Sequence, residues 1–365
     1  MRRVLALAAG LAAIISLLSA CGREPKLVPF ADPVAQTRSV LVATSRAERG
    51  GTPPSYGGAP GTGLDFGAYR LSVPPERAPA ELGLPGQVPD PAREFLWTGW
   101  APLADEAAFV AALDARLARL PKADRRVLVY VHGYYTGFDS SVMVAAQVAE
   151  DYGHGGPVVA FSWPSAGRLL DYERDRAAAR AARAPFAAVL RALARSTADS
   201  IVVLAHSMGA YLTMESLAVL QAQGEDAVLA RLAAVVMAAP DIDAEAFAAR
   251  VARLGPARPE IVVIGSGRDH VLQLSRFLAG GRYRLGGLRD LGALRRLGVY
   301  GVDVSDFDPG TIRGHFAFHR APELVEMIRT GALAGALAQA APGGEIVLEV
   351  PRADGDPARV VVFLP

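Results

Sequence analysis

Residues 201–209 read Ile-Val-Val-Leu-Ala-His-Ser-Met-Gly, and no other stretch constrains the fold as tightly. The apolar, mostly β-branched start predicts a buried strand. Ala205-His206-Ser207-Met208-Gly209 then turns abruptly into an apolar helix that runs to about Gln223. Small residues two before and two after Ser207 let the backbone fold tightly and push the hydroxyl out of the turn. That is the geometry of a nucleophile elbow, with Ala205 in the slot usually held by the first glycine. Serine is also a common helix N-cap, so the motif alone admits an ordinary turn. A serine attacks poorly until a neighbouring base activates it, and the remainder of the chain is read for that base.

From about residue 105, strands and helices alternate. Phe109, Leu113, Leu117 and Leu120 recur at helical spacing, which predicts an amphipathic helix over 105–120. Strands are predicted at Val127–Val131, Val158–Phe161, Ala233–Met237, Ile261–Ile264 and Val299–Val304. Helices are predicted at 140–152, over 173–198 with a break near Pro185, at 244–254 and around Leu324–Ile328. Such alternation over some 200 residues predicts a mostly parallel sheet with helices on both faces. Before it, Ser39–Thr44 and Tyr69–Val73 read as strands. Gly50–Gly63 reads as a flexible loop because it is rich in Gly, Pro and Ser. After it, Glu345–Val350 and Arg359–Leu364 flank Asp354-Gly355 and predict a hairpin. The expected division is a signal peptide over 1–20, a lipid-attachment linker with N-terminal β decoration over 21–100, the core over 101–330, and a tail over 331–365.

The amino end carries a separate message. Arg2 and Arg3 precede an apolar run, Val4–Leu18, that is too short and too abruptly ended for a membrane span. It closes on Leu18-Ser19-Ala20-Cys21, which looks like a bacterial lipoprotein lipobox. Cys21 is the only cysteine of the chain, so an intrachain disulfide is excluded and lipidation of its thiol is expected. Several acyl chains, at about 0.8 kcal/mol per buried methylene, would hold the protein stably on a membrane. Gly22 is not the aspartate of an inner-membrane retention signal. The expected address is the cell envelope, facing the periplasm from the outer membrane where one exists.

Composition narrows the partners. Lys and Arg total 38 against 37 Asp and Glu, a balance that argues against nucleic acid. The six histidines form no H-x-x-x-H or H-E-x-x-H pair, and no phosphate-binding G-x-x-x-x-G-K-[ST] loop occurs. No metal and no cofactor are expected. Arg282–Arg296, alternating Arg, Leu and Gly, reads as a solvated or lid-like loop, with docking to acidic headgroups as the second reading. Oligomeric state is not legible.

Serine chemistry needs a base, a carboxylate to orient it and donors for the oxyanion. The histidines beyond the elbow are His270, His315 and His319. His315 follows Gly314 in a loop after the last core strand and is the expected base, with His319 as the alternative. Asp269, just past strand 261–264, is the expected acid, and Asp241 is the alternative. Asp243 reads as the N-cap of helix 244–254. The expected oxyanion donors are the backbone N–H groups of Met208 and of Tyr134, in the loop His132-Gly133-Tyr134. His132 and His206 read as packed, hydrogen-bonded supports.

Taken in order, these stretches resemble a bacterial alpha/beta hydrolase family of unknown function. The resemblance runs through Val42–Arg46, Phe66-Gly67 with Val73-Pro74, Val131–Tyr134, and Phe161–Ser165 with Tyr172 and Asp175. It continues through Ala205–Gly209, Ala239–Asp241, Asp269–Leu272 with Ser275-Arg276, Arg284–Gly286, Val302–Ser305 and Gly314-His315. It covers about residues 40–320. It implies an α/β-hydrolase fold with Ser207, Asp269 and His315 on the triad positions, and it implies no substrate. The functional expectation is a membrane-anchored serine hydrolase that cleaves a small-molecule or lipid ester. A non-catalytic lipoprotein binding module on the same scaffold and an acyltransferase are the alternatives.

Overall fold

The computed structural model describes residues 25–365 apart from 33, 169, 279, 289–290, 309–310, 340, 342 and 353–355. Cys21 and the residues before it therefore lie outside the described residues, as does the Asp354-Gly355 turn. The described strands are β1 (Thr37–Gly50), β2 (Ser55–Ser72), β3 (Trp97–Leu103), β4 (Arg126–Val131), β5 (Val158–Ser162) and β6 (Ser200–His206). They continue with β7 (Leu232–Ala238), β8 (Glu260–Gly265), β9 (Tyr300–Asp303), β10 (Glu345–Val350) and β11 (Ala358–Phe363). All join one sheet in the order β10-β11-β9-β8-β7-β6-β4-β5-β1-β2-β3.

The seven strands from β9 to β1 run parallel. The edges are antiparallel: β2 and β3 beyond β1, and β11 and β10 beyond β9. This is the expected α/β-hydrolase fold, with a C-terminal hairpin that extends the sheet through Val361–Phe363 against Asp303–Gly301.

β4 shows why the centre is parallel. Val127, Val129 and Val131 face one apolar layer, and Leu128 and Tyr130 face the other. A strand buried on both faces reads as a continuous apolar run. The first layer includes α1 (Glu106–Leu117), α4 (Arg183–Ala194) and α5 (Met208–Ala222), through residues such as Phe109, Phe186 and Leu212. The second is built on α2 (Phe138–Asp151). In the first layer, α3 (Tyr172–Ala181) is separated from α4 by the single residue Ala182, so Pro185 lies in the first turn of a new helix, where its missing N–H costs little.

Gly50–Gly63 departs from expectation. It is not a loop: β1 runs to Gly50 and β2 starts at Ser55. Only Gly51–Pro54 turn, with Gly50 and Gly51 at φ +79° and +104°, which favour glycine. The register shifts after Thr44, and Arg46 pairs with Pro60. Since β3 pairs only with Phe66–Leu71, the first half of β2 is an edge, where proline and glycine are tolerated.

Candidate active site

The site is assembled at the carboxyl ends of β4, β6, β7 and β8. Ser207 follows β6 with φ +52° and ψ −118°, a conformation costly for a residue with a Cβ. The surroundings fix it. Ser207 N–H donates to the Ala238 carbonyl at 2.9 Å, and its carbonyl accepts from Ala210 N–H and Asp241 N–H. Gly209 explains the small residue after the serine: a Cβ there would lie 2.4 Å from the His132 carbonyl oxygen. Helix α5 starts at Met208, so its first N–H groups have no partner within the helix. Gly133 abuts the same spot, since a Cβ on it would meet Ser207 Cβ at 3.0 Å and His206 Nδ1 at 2.8 Å. The loop carrying Tyr134 is thus brought against the elbow.

Asp269 and His315, 46 residues apart, meet. The His315 Nδ1 and Asp269 Oδ2 atoms lie 2.7 Å apart, both side chains nearly buried. Asp269 also accepts from Leu272 N–H at 3.0 Å, in the first turn of α7 (His270–Leu278). Burial alone would raise the Asp269 carboxyl, but the imidazole and the backbone N–H groups of Leu272 and Val271 outweigh it and hold it below the usual carboxylate range. An ionised Asp269 keeps the imidazole proton on Nδ1 and leaves Nε2 as the free base. His315 lies beside the elbow: its ring centroid is 4.8 Å from that of His206, whose Nε2–H donates to the His315 carbonyl at 3.1 Å. Ser207 keeps 5% of its surface exposed.

The alternatives are placed elsewhere. Asp241 Oδ2 accepts from Tyr172 Oη at 2.8 Å and its Oδ1 accepts from Ser275 Oγ at 2.6 Å. Arg284 Nε lies 3.1 Å from the same Oδ1, an ion pair whose angle is too poor for a hydrogen bond. Asp243 caps α6 (Ala244–Val251) by accepting from Ala246 N–H at 2.9 Å. His319 is buried without a carboxylate, its Nδ1 unpartnered, and burial followed by the Arg320 charge lowers it to about 3. His270 is exposed on the first turn of α7.

His132 and His206 are packed among site groups. The His132 ring stacks on Trp163 at 4.9 Å, and its Nε2 accepts from Trp163 N–H at 3.2 Å. Burial and the Arg46 charge lower it to about 3. Burial, then His315 and His319, lower His206 well below the ordinary range.

Two arginines carry more of the architecture than local sequence conveys. Arg46, on β1, is 1% exposed. It donates to Ser162 Oγ at 2.8 Å, Ser165 O at 2.9 Å, Gly57 O at 3.0 Å and Thr136 O at 2.7 Å, and its Nη2 lies 3.3 Å from His132 Nε2. It therefore braces the 132–136 loop from beneath. The signal was a charged residue directly following an apolar strand. Arg284 lies in the run read as a solvated loop, yet it is 2% exposed and paired with Asp241. That part of the run is wall, not surface.

Among the described residues, no three His, Cys, Asp or Glu side chains converge as metal ligands do, and no helix is long and apolar enough to cross a membrane. Comparison with curated proteins gave no match. Among solved structures the chain is similar to a Pyrobaculum calidifontis esterase at 13% identity and a TM-score of 0.34, covering 82% of this chain and 87% of that one. Residues 106–331 match the family described as alpha/beta hydrolase of unknown function (DUF900), with β1 to β3 and the C-terminal hairpin outside the match. The chain belongs to that alpha/beta hydrolase family.

Proposed function

We propose that this protein is a serine hydrolase that cleaves carboxylic esters through an acyl-enzyme. The observation that carries the reading is the 2.7 Å contact between His315 Nδ1 and Asp269 Oδ2 beside a serine held at φ +52°. In this reading His315 Nε2 takes the Ser207 proton as Oγ bonds to the ester carbonyl carbon. The carbonyl oxygen becomes an oxyanion facing the N–H groups of Met208 and Tyr134. The C–O bond to the alcohol breaks, and the alcohol leaves with the proton from Nε2. Water then enters, gives its proton to Nε2 and releases the acid, restoring Ser207. Asp269 stays ionised and stabilises the imidazolium.

The protein is also read as lipid-anchored through Cys21 on the cell envelope, facing the periplasm where an outer membrane exists. Metabolic labelling with an alkynyl fatty acid tests this: the wild type takes the label, and Cys21→Ser does not. Catalysis is tested by a chain-length panel of activated esters. Turnover is expected to fall about 10⁶-fold in His315→Ala; an unchanged rate would move the base elsewhere.

A further inference from the structure

We propose that the mouth of this site is a docking surface for an anionic lipid bilayer, separate from any anchor at Cys21. Seven large apolar side chains are exposed among the described residues. Four of them, Tyr135, Leu170, Leu274 and Phe277, sit on segments that follow β4, β5 and β8, where the site is built. Leu170 is 89% exposed and Phe277 78%.

A chain of contacts joins these segments into one rim. The Tyr134 and Tyr135 rings lie 6.2 Å apart, and Tyr134 Oη donates to the Arg168 carbonyl, two residues before Leu170. The Tyr134 and Tyr172 rings lie 5.6 Å apart, and Tyr172 Oη meets Ser275 Oγ at 2.8 Å, beside Leu274. Helix α7 buries Leu272 and Ser275 and leaves Leu274 and Phe277, three apart on one face, exposed. Exposed apolar clusters of this kind mark interaction surfaces.

Charge selects the occupant. Residues 168–183 carry five arginines against three acids, one of which, Asp175, is buried. Arg168 and Arg174 share Asp171 as an ion-pair partner, at 3.6 and 3.4 Å, and remain 76% and 51% exposed. Arg176 and Arg180 on α3 and Arg183 at the start of α4 line an open groove of about 420 Å³ with Glu173 and Tyr211. Apolar side chains projecting from a cationic collar fit anionic phospholipid, with each arginine near the surface strengthening binding about fivefold. Delivery of a lipid ester to Ser207 rests on the serine-hydrolase reading; the docking does not.

The sole thiol makes the test local. In the full chain carrying Cys21→Ser, single cysteines replace Leu170, Phe277, Val88 or Val347 and take an environment-sensitive fluorophore. The last two positions are exposed but lie outside the rim, 85% and 49% exposed. With phosphatidylglycerol vesicles the labels at 170 and 277 are expected to shift to the blue while those at 88 and 347 do not, and phosphatidylcholine vesicles or high salt should suppress the shift. In separately prepared unlabelled chains, Leu170→Ser and Phe277→Ser should each weaken partitioning about tenfold. An equal response at all four positions, no response, an equal response to neutral vesicles, or a shift that follows protein concentration without lipid would overturn the proposal. Ser207→Ala should dock like its parent, so failed docking and failed hydrolysis are told apart.

Discussion

Asp241 and Asp269 occupy comparable places and face different chemistry. Both lie within four residues of the carboxyl end of adjacent parallel strands, β7 and β8, and both are buried, 7% and 2% exposed. Asp269 faces an imidazole and α7 backbone N–H groups. Asp241 faces a permanently charged guanidinium and two hydroxyls. A buried carboxylate against arginine is a fixed ion pair. One against histidine can steady a charge that comes and goes. In the proposed mechanism the partner, not the strand position, separates the chemical role from the structural one.

The largest effect that can break this contrast is on turnover. Asp269→Asn should lower kcat about 10⁴-fold by favouring the wrong imidazole tautomer, with the thermal midpoint little changed. Asp241→Asn should do the reverse: ester turnover stays within about tenfold at a temperature where the variant is folded, but stability falls by about 3–5 kcal/mol because Arg284 is left buried and unpaired. Equal kinetic losses in both variants would erase the distinction. Denaturant unfolding of Arg46→Ala should show a loss of about 3 kcal/mol or more, since a multiply bonded buried cation is removed and its carbonyl partners are orphaned. Arg46→Lys should not restore it, because one ammonium cannot span the same acceptors. Gly133→Ala should cost about 10² in kcat, since the added Cβ must push the loop from Ser207 and a shift of about 1 Å misplaces the donors.

Per pH unit, the smallest effect is a slope. His132 and His319 are held near 3, below the ordinary 6.5. Between those values the unfolded chain binds more protons than the folded one. Stability from these residues is therefore full above pH 6.5 and is lost as pH falls toward 3, at up to about 1.4 kcal/mol per pH unit for each histidine. Denaturant unfolding at stepped pH checks this, and His319→Gln should flatten the curve.

Legibility in the sequence followed the range of the interactions. The strands and helices of the core, the elbow and the cap at Asp243 rest on local patterns: apolar runs, helical periodicity, a side chain reaching its own third neighbour. The convergence of Ser207, Asp269 and His315 on one end of the sheet followed from chain order in the fold. What local pattern hid depends on distant partners. β2 persists through glycines and prolines because β1 pairs with it and its outer half is an edge. Arg46 is buried only because segments about 90 and 120 residues away converge on it. Arg284 looked like part of a solvated basic run until Asp241 and Tyr172 were brought to it.

In the proposed mechanism one hydroxyl, at residue 207, attacks substrate. Reaction with a fluorophosphonate followed by mass spectrometry of the digested protein tests it most directly. A single adduct is expected on the peptide bearing Ser207, slowed sharply by Asp269→Asn and absent from Ser207→Ala. An adduct on a different residue, or undiminished labelling of Ser207→Ala, would contradict it.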